Sequence, residues 1–563
     1  MAILVRPRVA GARLGANRVC RPASRGNRGG TVRDGRESQP GDALRRAGTI
    51  PAVTNAAWPD RARCRRDGTL ALAIFLALAW AGAFAALAVR KHHSFHSNAY
   101  DLGLQQHVVW NTAHGRWFQY TYMVAFNPDL VNHLGDHVNL VLLPIAALYF
   151  FHDGPATLLV VQALAVASGM VPLFLIARRR IGSDGPALVL ASLYLLHPAL
   201  QAALLFDFHP IVLAAPLFLW AYFFAVVHRD GWLVVATVLL LATQENAALV
   251  VALLGALVAV EGRRRAGAVL MVAGVAWFVA CYSAILPALN PGVGSNAFAR
   301  YRHLGGSWSE VMTHVLLHPV EVAAGVLDAS GRDYLGALLV PFGFVSLLAP
   351  EILLCAASEL ALNLLSDFPA QRTIDHQYAS VIVAVAALAA VVGAGRAAQL
   401  GSARLGLPRE AIAWSLAAWA LAACAVFQLR SYGTIRALGP EYDGVYADSE
   451  HARLGREVLA RIPAGAAVSA QGTIAPHVSR RPHVYVFPTI ADAEWVALDQ
   501  DANPFPVHLL PISGLTPDES YREYVRRLTA SGDFAIVADA DGWMLLRRVR
   551  PPAVVDGPQE RAR

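Results

Sequence analysis

From Leu70 to Val89 the chain runs without a charge or a proline, directly after the basic stretch RARCRRD. A helix of that length spans the roughly 30 Å hydrocarbon core of a bilayer. In that core every backbone N–H and C=O must be paired, so a helix is the structure such a stretch can adopt. Comparable apolar segments recur as far as Leu429. Only 15% of the residues are charged and 56% are hydrophobic, with a mean hydropathy of +0.42. A soluble domain carries nearer a quarter charged residues, so the fold class is that of a polytopic α-helical membrane protein.

The formal net charge of +7 could suggest nucleic acid as a partner, but the placement of the charge excludes that reading. Fifteen arginines fall in the first 66 residues, and most others flank apolar segments, the arrangement that sets membrane topology. Five scattered cysteines (Cys20, Cys64, Cys281, Cys355 and Cys424), with no CxxC, argue against a disulfide framework or a thiolate metal site.

Residues 1–66, rich in Arg, Gly and Pro, cannot bury a core and are expected to be a disordered cytoplasmic terminus without a signal-peptide h-region. Residues 67–429 form the transmembrane domain. Leu70–Val89 leads outward. Val138–Phe151 is short for a span and is expected to lie along the membrane, because only then does Pro155–Ala177 end with Arg178, Arg179 and Arg180 inside. Pro186–Leu205, Ile211–Val227, Trp232–Thr243, Ala247–Val260, Ala268–Leu289, Tyr334–Ala349, Ile352–Leu365, Tyr378–Gly395 and Ala411–Leu429 complete a count of about eleven spans. Outer loops fall at 91–154, 290–333 and 366–377. Residues 430–550 alternate short β-branched runs with amphipathic stretches, as in a small extracytoplasmic α/β domain, and 551–563 form a frayed tail. The location implied is the cell membrane, with lipids as partners.

The ionisable residues gather at the outer ends of these spans. Tyr100–His137 holds Asp101, His107, Asp129, His133, Asp136 and His137, mixed with Trp110 and Asn111. FDFHP adds Asp207 and His209, the break between two short helices adds Glu245, and the third loop adds Arg372, Asp375, His376 and Tyr378. Ionisable groups at a membrane are costly and mark functional sites, so a shared cavity is expected. Asp101, in YDLG before a short helix, suits a general base as well as an N-cap. The pairs Asp136–His137 and Asp207–His209 could ligate a divalent metal, the one cofactor these residues suggest, although a hydrogen-bonded pair is the commoner arrangement. Arg372 with His376 could hold a phosphate.

YDLGLQQHVVWNTAHG, LGDHVNLVLLPIAALY, LLFDFHP and RTIDHQYAS together resemble the landmarks of a family of prokaryotic polytopic proteins of unknown function, described as predicted membrane proteins. The likeness covers about Leu70 to Phe487. It departs at Thr243–Asn246, where TQEN replaces a Lys-Glu-Asp-like break. More distantly, the layout resembles the glycosyltransferase C superfamily, whose members carry an acidic residue in a large first outer loop followed by a juxtamembrane helix. That resemblance implies transfer of a sugar from a polyprenyl-phosphate-linked donor to an extracytoplasmic acceptor, with Asp101 at the catalytic acidic position. A transporter or lipid flippase is the alternative, favoured by the Gln244–Asn246 break but not by any internal repeat. A non-catalytic scaffold or sensor presenting the carboxy-terminal domain is the third reading, since that domain carries no catalytic motif.

Overall fold

The computed structural model describes residues 67–122, 130–290, 296–501 and 521–550. The termini 1–66 and 551–563, expected to be disordered, and Asp129 lie outside the described residues. Among the described residues, five helices are long and apolar enough to cross a membrane: Gly68–His93, Pro155–Ile181, Arg264–Leu289, Gln377–Leu405 and Arg409–Tyr442. A bent pair, Asp184–Leu196 with Pro198–Leu205, makes a sixth, and Pro210–Val226, Asp230–Leu241 and Ala247–Val260 are shorter apolar helices.

The first helix shows how small residues organise the bundle. Its buried face is Ala73, Ala77, Ala81, Phe84 and Ala88, an every-fourth-residue stripe that packs on Pro155–Ser168. Between helices in lipid there is little hydrophobic drive, so close van der Waals approach of small side chains does the packing. Ser380–Leu405 takes this furthest: every residue from Ser380 to Gly395 is buried, nearly all of them Ala, Val or Gly. It is the central post of the domain. Large apolar side chains such as Phe75, Trp232 and Val272 face outward instead, where lipid receives them.

The two ends of the bundle differ chemically. Asp67, which caps the first helix, is hydrogen-bonded by Arg178, and Arg178 Nε lies 2.8 Å from Asp184. Arg180 approaches Glu261 at 3.6 Å, and Arg396 approaches Glu351 at 2.5 Å, so the arginine clusters converge on one end. At the other end of the first helix Lys91 Nζ lies 2.8 Å from Asp207 Oδ1. The helical rise puts Asp67 and Lys91 about 36 Å apart, a membrane's thickness.

The segments between these helices depart from the expected spans where the chain cannot continue a helix. Pro186–Leu205 is bent by 43° at His197-Pro198. The carbonyl of Leu196 freed by that bend accepts from Gln201 Nε2 at 3.0 Å and Gln428 Nε2 at 3.1 Å. Tyr334–Ala349 and Ile352–Leu365 are not single helices. Helix Ala329–Leu339 ends before Pro341, Gly343 and Phe344 adopt positive φ, and Pro350 starts a new short helix. Trp419 Nε1 donates to the Gly343 carbonyl at 2.9 Å, and Ser346 Oγ to the Ala386 carbonyl at 2.8 Å, which satisfies that irregular backbone inside protein. Val138–Phe151 holds only the helix Leu142–Leu148, about 10 Å long and too short to cross.

The carboxy-terminal part is a five-stranded mixed sheet with strands β1 (Val468–Ala470), β2 (Val484–Val486), β3 (Trp495–Asp499), β4 (Phe534–Ala540) and β5 (Trp543–Arg548). The order is β2-β1-β3-β5-β4, parallel across β2, β1 and β3 and antiparallel beyond. The parallel strands are buried throughout, as strands covered on both faces must be. The sheet docks on the first loop of the membrane domain. Thr121 Oγ1 accepts from Val484 N at 3.0 Å and donates to its carbonyl at 2.5 Å, completing the free edge of β2. Trp543 donates from Nε1 to the His451 carbonyl at 2.9 Å and lies tilted against Phe95, with ring centroids 4.8 Å apart.

Candidate functional site

Asn98 starts the site. Its side chain accepts from Tyr100 N at 2.8 Å and opens a π-helical turn, Ala99–Gly103, that runs into the helix Leu104–Ala113. A π-turn is uncommon and frequent at functional sites. It carries Asp101 on a wide loop of backbone. Gly103 is needed because a Cβ there would meet the Tyr122 hydroxyl at 2.9 Å.

Opposite lies the FDFHP turn. Asp207 adopts a φ of 106°, which a non-glycine residue holds only when its surroundings fix it. They do: Oδ1 receives Lys91, Oδ2 accepts from Asn98 N at 2.7 Å, and the carbonyl accepts from Gln162 Nε2 at 2.9 Å. Gln162 Oε1 in turn accepts from His209 N at 2.8 Å, and His209 Nε2 donates to Asp101 Oδ1 at 2.9 Å. Asp207 therefore holds the π-turn against His209 and does not itself face the cavity.

The LGDH turn joins the break at Thr243–Asn246. His137 Nδ1 lies 2.9 Å from Glu245 Oε1, and Val138 N donates to Oε2 at 3.0 Å. Asn139 bridges His133 Nε2, at 2.8 Å, to the Thr243 carbonyl. Val141 N donates to the Ala242 carbonyl at 2.8 Å. The break thus feeds its backbone and Glu245 into the loop that follows the first helix. Burial works against protonation of His137, but the carboxylates of Glu245 and Asp136 outweigh it and raise its pKa to about 9. Burial lowers His133 to about 4, so the two histidines of one turn carry different charge.

These segments enclose a cavity of about 410 Å³. Of the residues singled out from the sequence, Asp101, His133, Asp136, His137, His209, Glu245 and Tyr378 line it. Sequence reasoning did not assign Arg300, Glu359, Asn246, Gln105 or Gln377 to it, although all five do line it. Arg300 stands over the rings of Phe368 and Tyr378, at 4.6 and 5.8 Å. Glu359 is buried and accepts twice from Asn246 Nδ2, at 2.9 and 3.0 Å. The signal for Glu359 was present, a carboxylate inside an apolar run, which is a functional mark in membrane segments. Five buried polar atoms of the lining have no partner among the described residues: Gln105 Oε1, His133 Nδ1, His209 Nδ1, Asn246 Oδ1 and Gln377 Oε1. Buried polar groups are almost always paired, so this wall is built for a polar occupant.

The other expected residues lie elsewhere. His107 Nε2 meets the Pro482 carbonyl at 3.1 Å, against the carboxy-terminal domain. Trp110 packs under Arg116 at 5.1 Å, and Asn111 clamps the loop through Arg116 Nε at 2.7 Å and the Gln119 carbonyl at 3.0 Å. Arg372 is committed to Asp328 at 3.0 Å and to the Leu364 carbonyl, so the expected phosphate pair with His376 does not form. Asp375 pairs with Arg436, and His376 rests edge-on against Phe206 at 4.5 Å.

Nor do Asp136–His137 and Asp207–His209 gather a metal-ligand set. Lys91 and Asn98 occupy Asp207, Asp101 holds His209, and Glu245 holds His137. Among the described residues, the group of three that could hold a metal ion is His451, Asp501 and Asp541, in the carboxy-terminal domain.

Helices sized for a bilayer, with a polar cavity at the end opposite the Arg178–Arg180 and Arg396 cluster, define a polytopic membrane protein with a polar site. The family described as predicted membrane protein (DUF2079) matches residues 91–545, and the chain belongs to that family. No curated protein matches it significantly. Two solved structures of ArnT from Cupriavidus metallidurans are similar to 85% of this chain at 14% identity. One is bound to undecaprenyl phosphate (98% of that chain, TM-score 0.46) and one is in the apo state (97%, TM-score 0.43). At that distance the likeness carries no inference about chemistry.

Proposed function

We propose that the chain is an extracytoplasmic glycosyltransferase that moves a sugar from a polyprenyl-phosphate-linked donor to an acceptor hydroxyl. The observation that carries the reading is the convergence of Asp101, His209 and Arg300 with unpartnered polar atoms in one cavity at the outer ends of apolar helices. The volume falls in the range of small-ligand sites, about 300–1,000 Å³. Apolar helix faces below polar walls suit an amphiphilic donor. The resemblance of the first outer loop to the glycosyltransferase C layout gives Asp101 the role of base.

Asp101 takes the proton of the acceptor hydroxyl as its oxygen attacks the anomeric carbon. The bond from that carbon to the phosphate oxygen breaks, the configuration inverts, and polyprenyl phosphate leaves. Arg300 meets the charge that develops on the departing phosphate. His209 is a positioning residue: its Nε2–H fixes the Asp101 carboxylate and leaves Oδ2 for the acceptor.

The test is transfer by the full chain in proteoliposomes supplied with radiolabelled polyprenyl-phosphate sugars and envelope acceptor fractions. Label moved from lipid to acceptor, lost in Asp101→Asn and sharply reduced in Arg300→Gln, supports the reading. Full transfer by Asp101→Asn removes Asp101 from the chemistry.

A further inference from the structure

A second cleft, of about 580 Å³, lies between the first outer loop and the carboxy-terminal domain. The helix Leu104–Ala113 is the partition. Leu104 and Gln105 line the central cavity at its start, while Trp110 and the following His114 line the cleft. Nine residues separate Asp101 from Trp110, roughly 13 Å of helix.

The cleft is strongly cationic. Three guanidinium groups line it, Arg456, Arg480 and Arg481, against one carboxylate, Asp153. Arg480 reaches Asp153 at 3.1 Å, and Arg456 reaches Asp448 at 2.6 Å. Arg481 differs from both. It is only 8% exposed, and its Nε and Nη1 donate to the carbonyls of Val478 at 2.6 Å and Ala466 at 2.9 Å. Carbonyl dipoles orient the fork, but no carboxylate among the described residues neutralises it. Burial accordingly pushes its pKa down to about 10, the mark of an uncompensated cation. Beside it His477 is stacked between His92, at 4.1 Å, and Phe95, at 3.9 Å. Its Nε2 is buried without a partner among the described residues.

A buried guanidinium without a counter-charge is costly to keep, and an anion that enters the cleft relieves that cost. The planar fork suits phosphate oxygens, and a phosphate offers acceptors enough for several donors at once. We propose that this cleft binds a phosphate-bearing ligand, with Arg481 as its buried anchor and the more exposed Arg480 and Arg456 as further guanidinium partners. The phosphate could belong to a lipid headgroup or to a soluble phosphorylated molecule, and both present the same chemistry to the cleft. The inference uses none of the residues of the proposed transfer reaction and goes beyond it.

The experiment is calorimetric titration of the full chain, in nanodiscs of zwitterionic lipid, with inorganic phosphate and with glycerol phosphate. Saturable binding that weakens with salt is expected. Arg481→Gln should lose it, and Arg480→Gln, at an exposed position that does not threaten folding, should weaken it about tenfold. Asp153→Asn should tighten it, because Arg480 is released. The absence of saturable binding, or binding indifferent to both Arg480→Gln and Asp153→Asn, overturns the proposal. Repeating the titration in nanodiscs doped with an anionic phospholipid separates the sources. Loss of phosphate binding there supports the site with a headgroup as its occupant, and unchanged binding supports it with a soluble ligand.

Discussion

His209 Nε2 and Asp101 Oδ1 meet at 2.9 Å across 108 residues of sequence. The contact joins the π-turn that follows the first helix to the turn between two apolar helices. It fixes one oxygen of the carboxylate and leaves the other toward the cavity. Asp101→Asn keeps the shape but removes the base, and transfer should fall by about 10²- to 10⁴-fold while the protein inserts and elutes normally. His209→Ala should lower kcat more than it raises KM, read from initial rates in the proteoliposome assay.

Asp207 lies outside the cavity, yet it holds Lys91 and Asn98 together behind it. Asp207→Asn leaves Lys91, whose side chain is 13% exposed, without its counter-charge. Breaking one side of a buried pair costs about 3–5 kcal/mol. The midpoint of thermal aggregation in detergent should drop clearly, and the Lys91→Met, Asp207→Asn double variant should recover part of the loss.

The His137–Glu245 pair makes stability depend on pH. The folded-state pKa of His137 is raised from 6.5 to about 9. Its contribution is therefore complete below pH 6.5 and is lost as the pH rises through about 9. The imidazole is about a third exposed (36%), so solvent screening keeps the effect modest. Melting curves from pH 6 to 10 should show this decline in the wild type and a flatter profile in His137→Gln.

The helices Ala247–Val260 and Arg264–Ala280 pack backbone to backbone at three glycines. A Cβ at Gly274 would meet the Ala248 carbonyl oxygen at 2.5 Å, and one at Gly267 would meet Ala259 N at 2.5 Å. Gly274→Val should destabilise by about 1–3 kcal/mol through forced separation of the helices. Gly82→Ala, where nothing lies within 4 Å, should be nearly neutral in the same thermal assay.

What the sequence determined by itself was whatever is set by local composition. Apolar runs gave the helices Gly68–His93, Ala247–Val260 and Arg409–Tyr432 almost to their ends, because a lipid environment leaves such a run no alternative. Alternating short runs marked the carboxy-terminal sheet; of the acid–His motifs, LGDH puts both residues on the cavity wall, DFH only His209, and IDH neither. Broken segments were harder. Tyr334–Ala349 has the hydropathy of a span, and only its contacts with Trp419 and Ala386 show why its backbone can leave the helix.

Residue roles were decided by tertiary structure alone. DFH and LGDH look alike in sequence, yet Asp207 turns back to Lys91 while Asp136 faces the cavity. Arg372 and Arg300 sit in comparable loops between helices, but Asp328 occupies the first, and the second stands over aromatic rings in the cavity wall. A side chain's chemistry is fixed by its type, but its availability depends on which distant group reaches it first. For Asp101 that group is His209, and only the fold brings them together.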